Sequence, residues 1–215
     1  MMTLSILKKN CFLAKLLFIA LIFSANSFAA APYCALRDPS HQIYAMFPSA
    51  TSYRSVVRKV NALARQSLNE KLPFTLHHNE LGEHTIYVPV QKVMPLGIVH
   101  VRSEMGVWGL MEIVWALDRQ MKVVDFKFQR CRGDSCKTVI EKNIKSLLQG
   151  KGERELADLL DENKTALKHG LLELNDSELY LAGSIIKSAI KTIAVTKGSW
   201  PDTVTELQSV SDSKQ

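Results

Sequence analysis

Apolar positions along this chain follow more than one period, and the changes of period divide it into elements. From Ser52 to Leu68, the residues Tyr53, Val56, Val57, Val60, Leu63, Ala64 and Leu68 fall on one stripe at helical spacing. This predicts an amphipathic helix whose other face carries Arg54, Arg58 and Arg65. Beyond Leu72-Pro73 the period shortens to two. Strands are expected at Phe74 to His77, His84 to Val90, Leu96 to Ser103, Leu110 to Leu117 and Lys122 to Arg130. Turn signals at Asn79 to Gly82, Pro95, Gly106 to Gly109 and Asp118 to Gln120 separate most of them. Short connections demand antiparallel pairing, so the block reads as a meander of about five strands in one sheet.

Within that block, Ile98, His100, Arg102 and Glu104 share one face of their strand, and Val99, Val101 and Ser103 share the other. The run from Leu110 to Leu117 is apolar on both faces except at Glu112, as expected of a central strand covered on both sides. A carboxylate there needs a partner, because an unpaired buried charge is costly. Arg102, on the preceding strand, is the expected one. Helical spacing returns at Thr138 to Leu148, which ends at Gly150-Lys151-Gly152, and at Glu153 to Leu160. It returns again at Asn175 to Val195, where Asn175 or Asp176 is the expected cap and Leu179, Ala182, Ile186, Ala189 and Ile193 share a face. Lys197 to Pro201 is a stop signal. The fold class is therefore α+β, an antiparallel sheet flanked by an N-terminal amphipathic helix and C-terminal helices.

The ends of the chain change the electrostatic picture. Lys8-Lys9, an apolar run from Leu13 to Phe23 broken only by Lys15, and the small-residue site Ser27-Phe28-Ala29 form the order of a secretory signal peptide over residues 1–29. A retained anchor is the alternative, and either outcome places the domain in the periplasm or another exported compartment. Removing Lys8, Lys9 and Lys15 lowers the formal net charge from +6 to +3. The basic pI then no longer argues for nucleic acid. Residues 30–207 are expected to form a single domain, followed by a flexible polar tail over 208–215.

Cysteine and motif content narrow the chemistry. Cys34, Cys131 and Cys136 remain after cleavage, an odd number for an oxidising compartment. Cys131 with Cys136 would close a small loop around Arg-Gly-Asp-Ser. Cys34 with Cys131 is the favoured pair, because a longer loop constrains the unfolded chain more. The histidines are scattered and no metal site is expected. The sequence lacks Gly-x-Gly-x-x-Gly, a Gly-Lys-Ser/Thr phosphate loop, His-Glu-x-x-His and Gly-x-Ser-x-Gly. No reaction class follows from the residues alone.

The order of features resembles a known family. "TIYVPVQKVMPLGIVHVRSEMGVWGLMEIVWALDRQMKVVDFKFQR" looks like its strand block, "IKSLLQGKG" like its middle helix and break, and "ELYLAGSIIKSAI" like its terminal segment. The family is the exported FMN-binding domain, found in flavin-carrying subunits of Rnf and sodium-pumping NADH:quinone oxidoreductase complexes and in nitrous-oxide regulatory proteins. The likeness covers roughly Thr85 to Ile190 and rests on order and spacing.

The resemblance implies that Gly106, Trp108 and Gly109 line a flavin ring, with glycine allowing close backbone approach. The plainer reading is a tight connection whose Trp108 plugs the core. Gly183 aligns with the family glycine, which puts Ile185, without a hydroxyl, where the family's flavin-bearing threonine stands. The resemblance therefore implies non-covalent FMN, its phosphate near Ser184 and one of Arg54 or Arg58. Close helix packing is the plain reading of Gly183-Ser184, and a solvated face is that of the arginines. The implied function is electron transfer or support of a redox complex, with a membrane redox complex or an envelope protein as partner. Membrane contact would come only through that partner or an uncleaved signal anchor. The alternative is a non-catalytic periplasmic binding or scaffold module that uses the same fold without flavin.

Overall fold

A computed structural model describes residues 38–77 and 80–212. The expected signal peptide, Cys34 and the last three residues of the tail lie outside the described residues. As expected, the domain is α+β and built on one antiparallel sheet. Its strands are β1 (Ser52–Val60), β2 (Gly82–Gln91), β3 (Met94–Pro95), β4 (Ile98–Gly106), β5 (Gly109–Leu117) and β6 (Val123–Arg130). The order across the sheet is β1-β2-β4-β5-β6, with the short β3 folded back on the end of β2.

Period-two alternation assigns the two faces. Met111, Ile113, Trp115 and Leu117 of β5 enter the larger core beneath the C-terminal helices. Val114 and Ala116 join Val99 and Val101 of β4 in a smaller core. That second core is closed by Ile43 and Met46 of α1 (Ser40–Met46) and by Phe47. Both faces of β5 are thus covered, which explains why its sequence carries so few polar positions.

The expected N-terminal helix is corrected over its first half. Ser52 to Val60 is β1, paired residue by residue with β2 from Ser52↔Val90 to Val60↔Gly82. Only Ala62–Asn69 is helical (α2), and it begins where the Asn61 side chain accepts from the Ala64 N–H. Positions 53, 56, 57 and 60 satisfy a helical stripe by coincidence. The β-branched valines and the nine-residue ladder decide for strand. Phe74 to His77 is not a strand either. Leu76 is held instead by side chains, its N–H donating to Asn69 Oδ1 at 2.7 Å and its carbonyl accepting from Arg65 Nε at 2.8 Å.

The expected helix over Thr138 to Leu148 is divided. Asn143, at φ 67°, separates α3 (Ser135–Glu141) from α4 (Ile144–Leu148). A single turn, α5 (Glu153–Ala157), follows. The long α6 (Asp176–Ser199) starts at a capping box in which Asn175 and Glu178 exchange side-chain and backbone hydrogen bonds. By length and composition α6 could cross a membrane, yet 89% of its most apolar window is buried inside the domain. The chain turns at Trp200, and Pro201 opens α7 (Pro201–Asp212), so Gln208 to Asp212 of the expected tail is helical. The indole N–H of Trp200 donates to the Val56 carbonyl of β1 at 3.1 Å.

Candidate functional site

The pairing of β4 with β5 runs to Gly106↔Gly109 and leaves Val107 and Trp108 as the two turn residues. Gly109 sits at φ +105°, a conformation that a side chain would strain. Two-residue hairpins favour Asn-Gly or similar small polar pairs at these positions. Here Val107 and Trp108 are 43% and 57% exposed, and Met105 beside them is 53% exposed. Trp108 therefore does not plug the core. Its indole lies beside Gly133, where an added Cβ would meet Cδ1 at 3.0 Å. Gly133 has φ +87° and belongs to the short loop between β6 and α3.

A disulfide joins Cys131 to Cys136 across that loop. The favoured expectation of Cys34 with Cys131 is thereby corrected. The two cysteines already face each other at the end of β6 and the start of α3, with Cα atoms 6.2 Å apart, within ordinary disulfide reach. Phe128, Ile140 and both cysteines line an open groove of about 600 Å³ next to the loop.

The other expected site residues lie elsewhere. Arg54 and Arg58 are on β1, a margin of the sheet, where they pair with Glu206 and, at 3.8 Å, Asp202 of α7. Gly183 lies inside α6 and packs against the Thr165–Ala166 backbone, where an added Cβ would come within 2.6 Å of Ala166 Cα. Ser184 is only 8% exposed and Ile185 is fully buried. The space that a flavin phosphate would need at this segment is occupied by the chain itself. The described residues bring Gly106, Trp108 and Gly109 together, but they do not bring Gly183, Ser184 or the two arginines to them. The residues present do not fit one FMN site.

Sequence reasoning missed a buried charged cluster between α6 and the sheet. Arg102 of β4 bonds Glu80 Oε1 at 2.6 Å, and Lys191 of α6 reaches Glu80 at 3.2 Å and Glu104 at 3.0 Å. His84 donates from Nε2 to the Glu80 carbonyl at 2.8 Å, while His100 Nδ1 lies 3.0 Å from Thr196 Oγ1. All six of these titratable residues are buried. Burial pushes the Glu80 carboxyl up, but Arg102 and Lys191 together hold it below its ordinary value. Burial raises Glu104, with Lys191 opposing. Burial and the nearby Arg102 lower His84 to about 4 and hold His100 well below its ordinary value.

The His100, Arg102, Glu104 alternation on β4 was a legible sign of this cluster. Its counterparts, Glu80 and Lys191, arrive from distant parts of the sequence. The expected Arg102–Glu112 pair is likewise corrected. Ser103 is the residue opposite Glu112, so Arg102 projects to the other face. Glu112 is met by Arg130 of β6 at 3.7 Å. Chemically, the cluster ties α6 to β4, and beside the hairpin tip the Met105 N–H donates to Glu104 Oε1 at 3.2 Å.

No family model matches the sequence, and no curated protein matches it.

Proposed function

We propose that this chain is an exported binding module that engages an apolar segment of another envelope protein through the tip of the β4–β5 hairpin. The observation that carries this reading is the exposure of Met105, Val107 and Trp108 together at a two-residue turn. Scattered apolar side chains on a surface need no explanation, but three exposed ones within four residues of a turn are a feature of recognition surfaces. Tryptophan and methionine are also enriched where partners dock. Electron transfer through FMN receives support only from the glycine-flanked Trp108, since the implied phosphate residues lie apart from it.

The test places a photo-crosslinker at Val107, and a control at Val93, which is 93% exposed on the β2–β3 turn. In the exported chain, one discrete adduct at 107, absent at 93 and lost in Trp108→Ser, is the expected outcome. The visible spectrum of the purified protein is recorded alongside, with FMN titration. Flavin absorbance in the purified protein, or saturable FMN binding that Trp108→Ser abolishes, would overturn the reading in favour of the redox one. Equal labelling at 107 and 93 would remove its basis.

A further inference from the structure

The loop that seats Trp108 is the one closed by the disulfide, and this couples the docking tip to thiol chemistry. Gly133 lies beside the indole, and on either side of it the chain is tied by Cys131 at the end of β6 and Cys136 in the first turn of α3. Backbone bonds from Cys136 N–H to the Gly133 carbonyl at 3.3 Å and from Lys137 N–H to the Asp134 carbonyl at 3.0 Å continue the loop into α3. A cross-link between residues five apart constrains the unfolded chain little compared with a long loop. Its effect is local, on the Gly133 loop. Cys136 is buried, whereas Cys131 is partly exposed, and both line the open groove. A thiol can approach the bond from that side.

We infer that the Cys131–Cys136 disulfide controls how Trp108 is presented, and that its reduction by an exported dithiol protein unseats the indole and weakens the docking surface. This rests on the docking reading above. In the step, a thiolate of the dithiol attacks Cys131 Sγ, the Cys131–Cys136 bond breaks, and Cys136 leaves as a thiolate that takes up a proton. The second thiol of the dithiol then attacks the mixed disulfide and releases Cys131, which is also protonated. Two electrons and two protons have passed to this chain, and the dithiol protein leaves as a disulfide.

Tryptophan quenching by acrylamide reads the coupling directly. It is measured on the exported chain in a Cys34→Ser background, before and after reduction by dithiothreitol, with Trp108→Phe as the reference for Trp115 and Trp200. The expected result is a rise in the quenching constant of the Trp108-dependent emission. A Cys131→Ser, Cys136→Ser variant should show the raised value without reductant, and far-UV circular dichroism should stay unchanged.

Unchanged quenching after both thiols titrate as reduced would overturn the inference. So would a change that persists in Trp108→Phe, or loss of the far-UV signal on reduction, since either would locate the effect in the core. Crosslinking at 107 in the two redox states separates the two readings. If the quenching changes but no adduct forms in either state, the docking reading fails and the coupling stands.

Discussion

Two regions of this domain reverse the usual partition of side chains, and only one of them is accounted for by the fold. At the β4–β5 tip, Met105, Val107 and Trp108 are apolar and face water. A few residues along the same strand, Arg102 and Glu104 are charged and buried. The inner set is ion-paired within the chain, through Glu80 and Lys191, although Arg102 Nη1 has no hydrogen-bond partner among the described residues. Of the outer set, Trp108 rests beside Gly133, and all three side chains remain more than two-fifths exposed. An inverted group with internal partners explains itself by what it joins, whereas one without them points outward.

The largest effect should come from breaking the inner set. Glu80→Ala leaves Arg102 and Lys191 with Glu104 as the one remaining carboxylate of the cluster, and removal of one member of a buried ion pair costs about 3–5 kcal/mol. Urea unfolding at neutral pH checks this, and a loss under about 1 kcal/mol would mean that the cluster is well solvated.

Acid should act on the same region. The unfolded His84 protonates near 6.5 and the folded one near 4. Its contribution is therefore complete above about 6.5 and is lost as pH falls toward about 4, to the extent of about 3 kcal/mol. Glu80, held low, adds a loss below its ordinary value of 4.5. Glu104, held high, works the other way, favouring the fold at low pH and losing that contribution as pH rises through its raised value. Urea midpoints between pH 7 and 4 should fall on acidification, and His84→Gln should flatten the slope. An equally steep slope in that variant would assign the effect to other groups.

Gly183→Ala sharpens the contrast from the interior side. The added methyl meets the Thr165–Ala166 backbone, and overpacking of this kind costs about 1–3 kcal/mol. A thermal melt measures it, and an unchanged midpoint would show room that a ligand could use. The smallest stability effect belongs to the tip. Trp108→Ser should alter the unfolding free energy in urea by no more than about 0.5 kcal/mol, as for surface positions, while abolishing the adduct at 107.

Much of the sheet was legible because a strand with one covered face alternates with a period of two, whereas one covered on both faces, such as β5, reads as a short continuous apolar run. Strands β2, β4, β5 and β6 were read from that pattern to within a few residues. Strand β1 was not, because Tyr53, Val56, Val57 and Val60 keep helical spacing and do not alternate, with 53 and 57 on one face of the strand and 56 and 60 on the other. The discriminating signal was Asn61, a capping residue in the middle of the supposed helix. The hairpin tip was readable from Gly-Val-Trp-Gly, though not the exposure of its tryptophan. The Arg102–Glu112 pairing failed on register: the two-residue turn that pairs Gly106 with Gly109 sets Ser103, not Arg102, opposite Glu112, and one residue of slip exchanges the faces. The disulfide expectation weighed the entropy of the unfolded chain and omitted how closely folding brings Cys131 to Cys136. The charged cluster was hidden because Glu80 and Lys191 are separated by 111 residues.

The Trp200 indole on the Val56 carbonyl has a bearing on self-association at high protein concentration. A strand at a sheet margin with bare carbonyls is a template on which a second chain can lay a strand of its own, and repetition of that event builds fibrils. Here Trp200 occupies one carbonyl of β1, and Glu206 and Asp202 of α7 are ion-paired with Arg54 and Arg58. A strand laid on that margin would have to displace the Trp200 indole and break these ion pairs, so the turn into α7 bears on solubility as well as on the core.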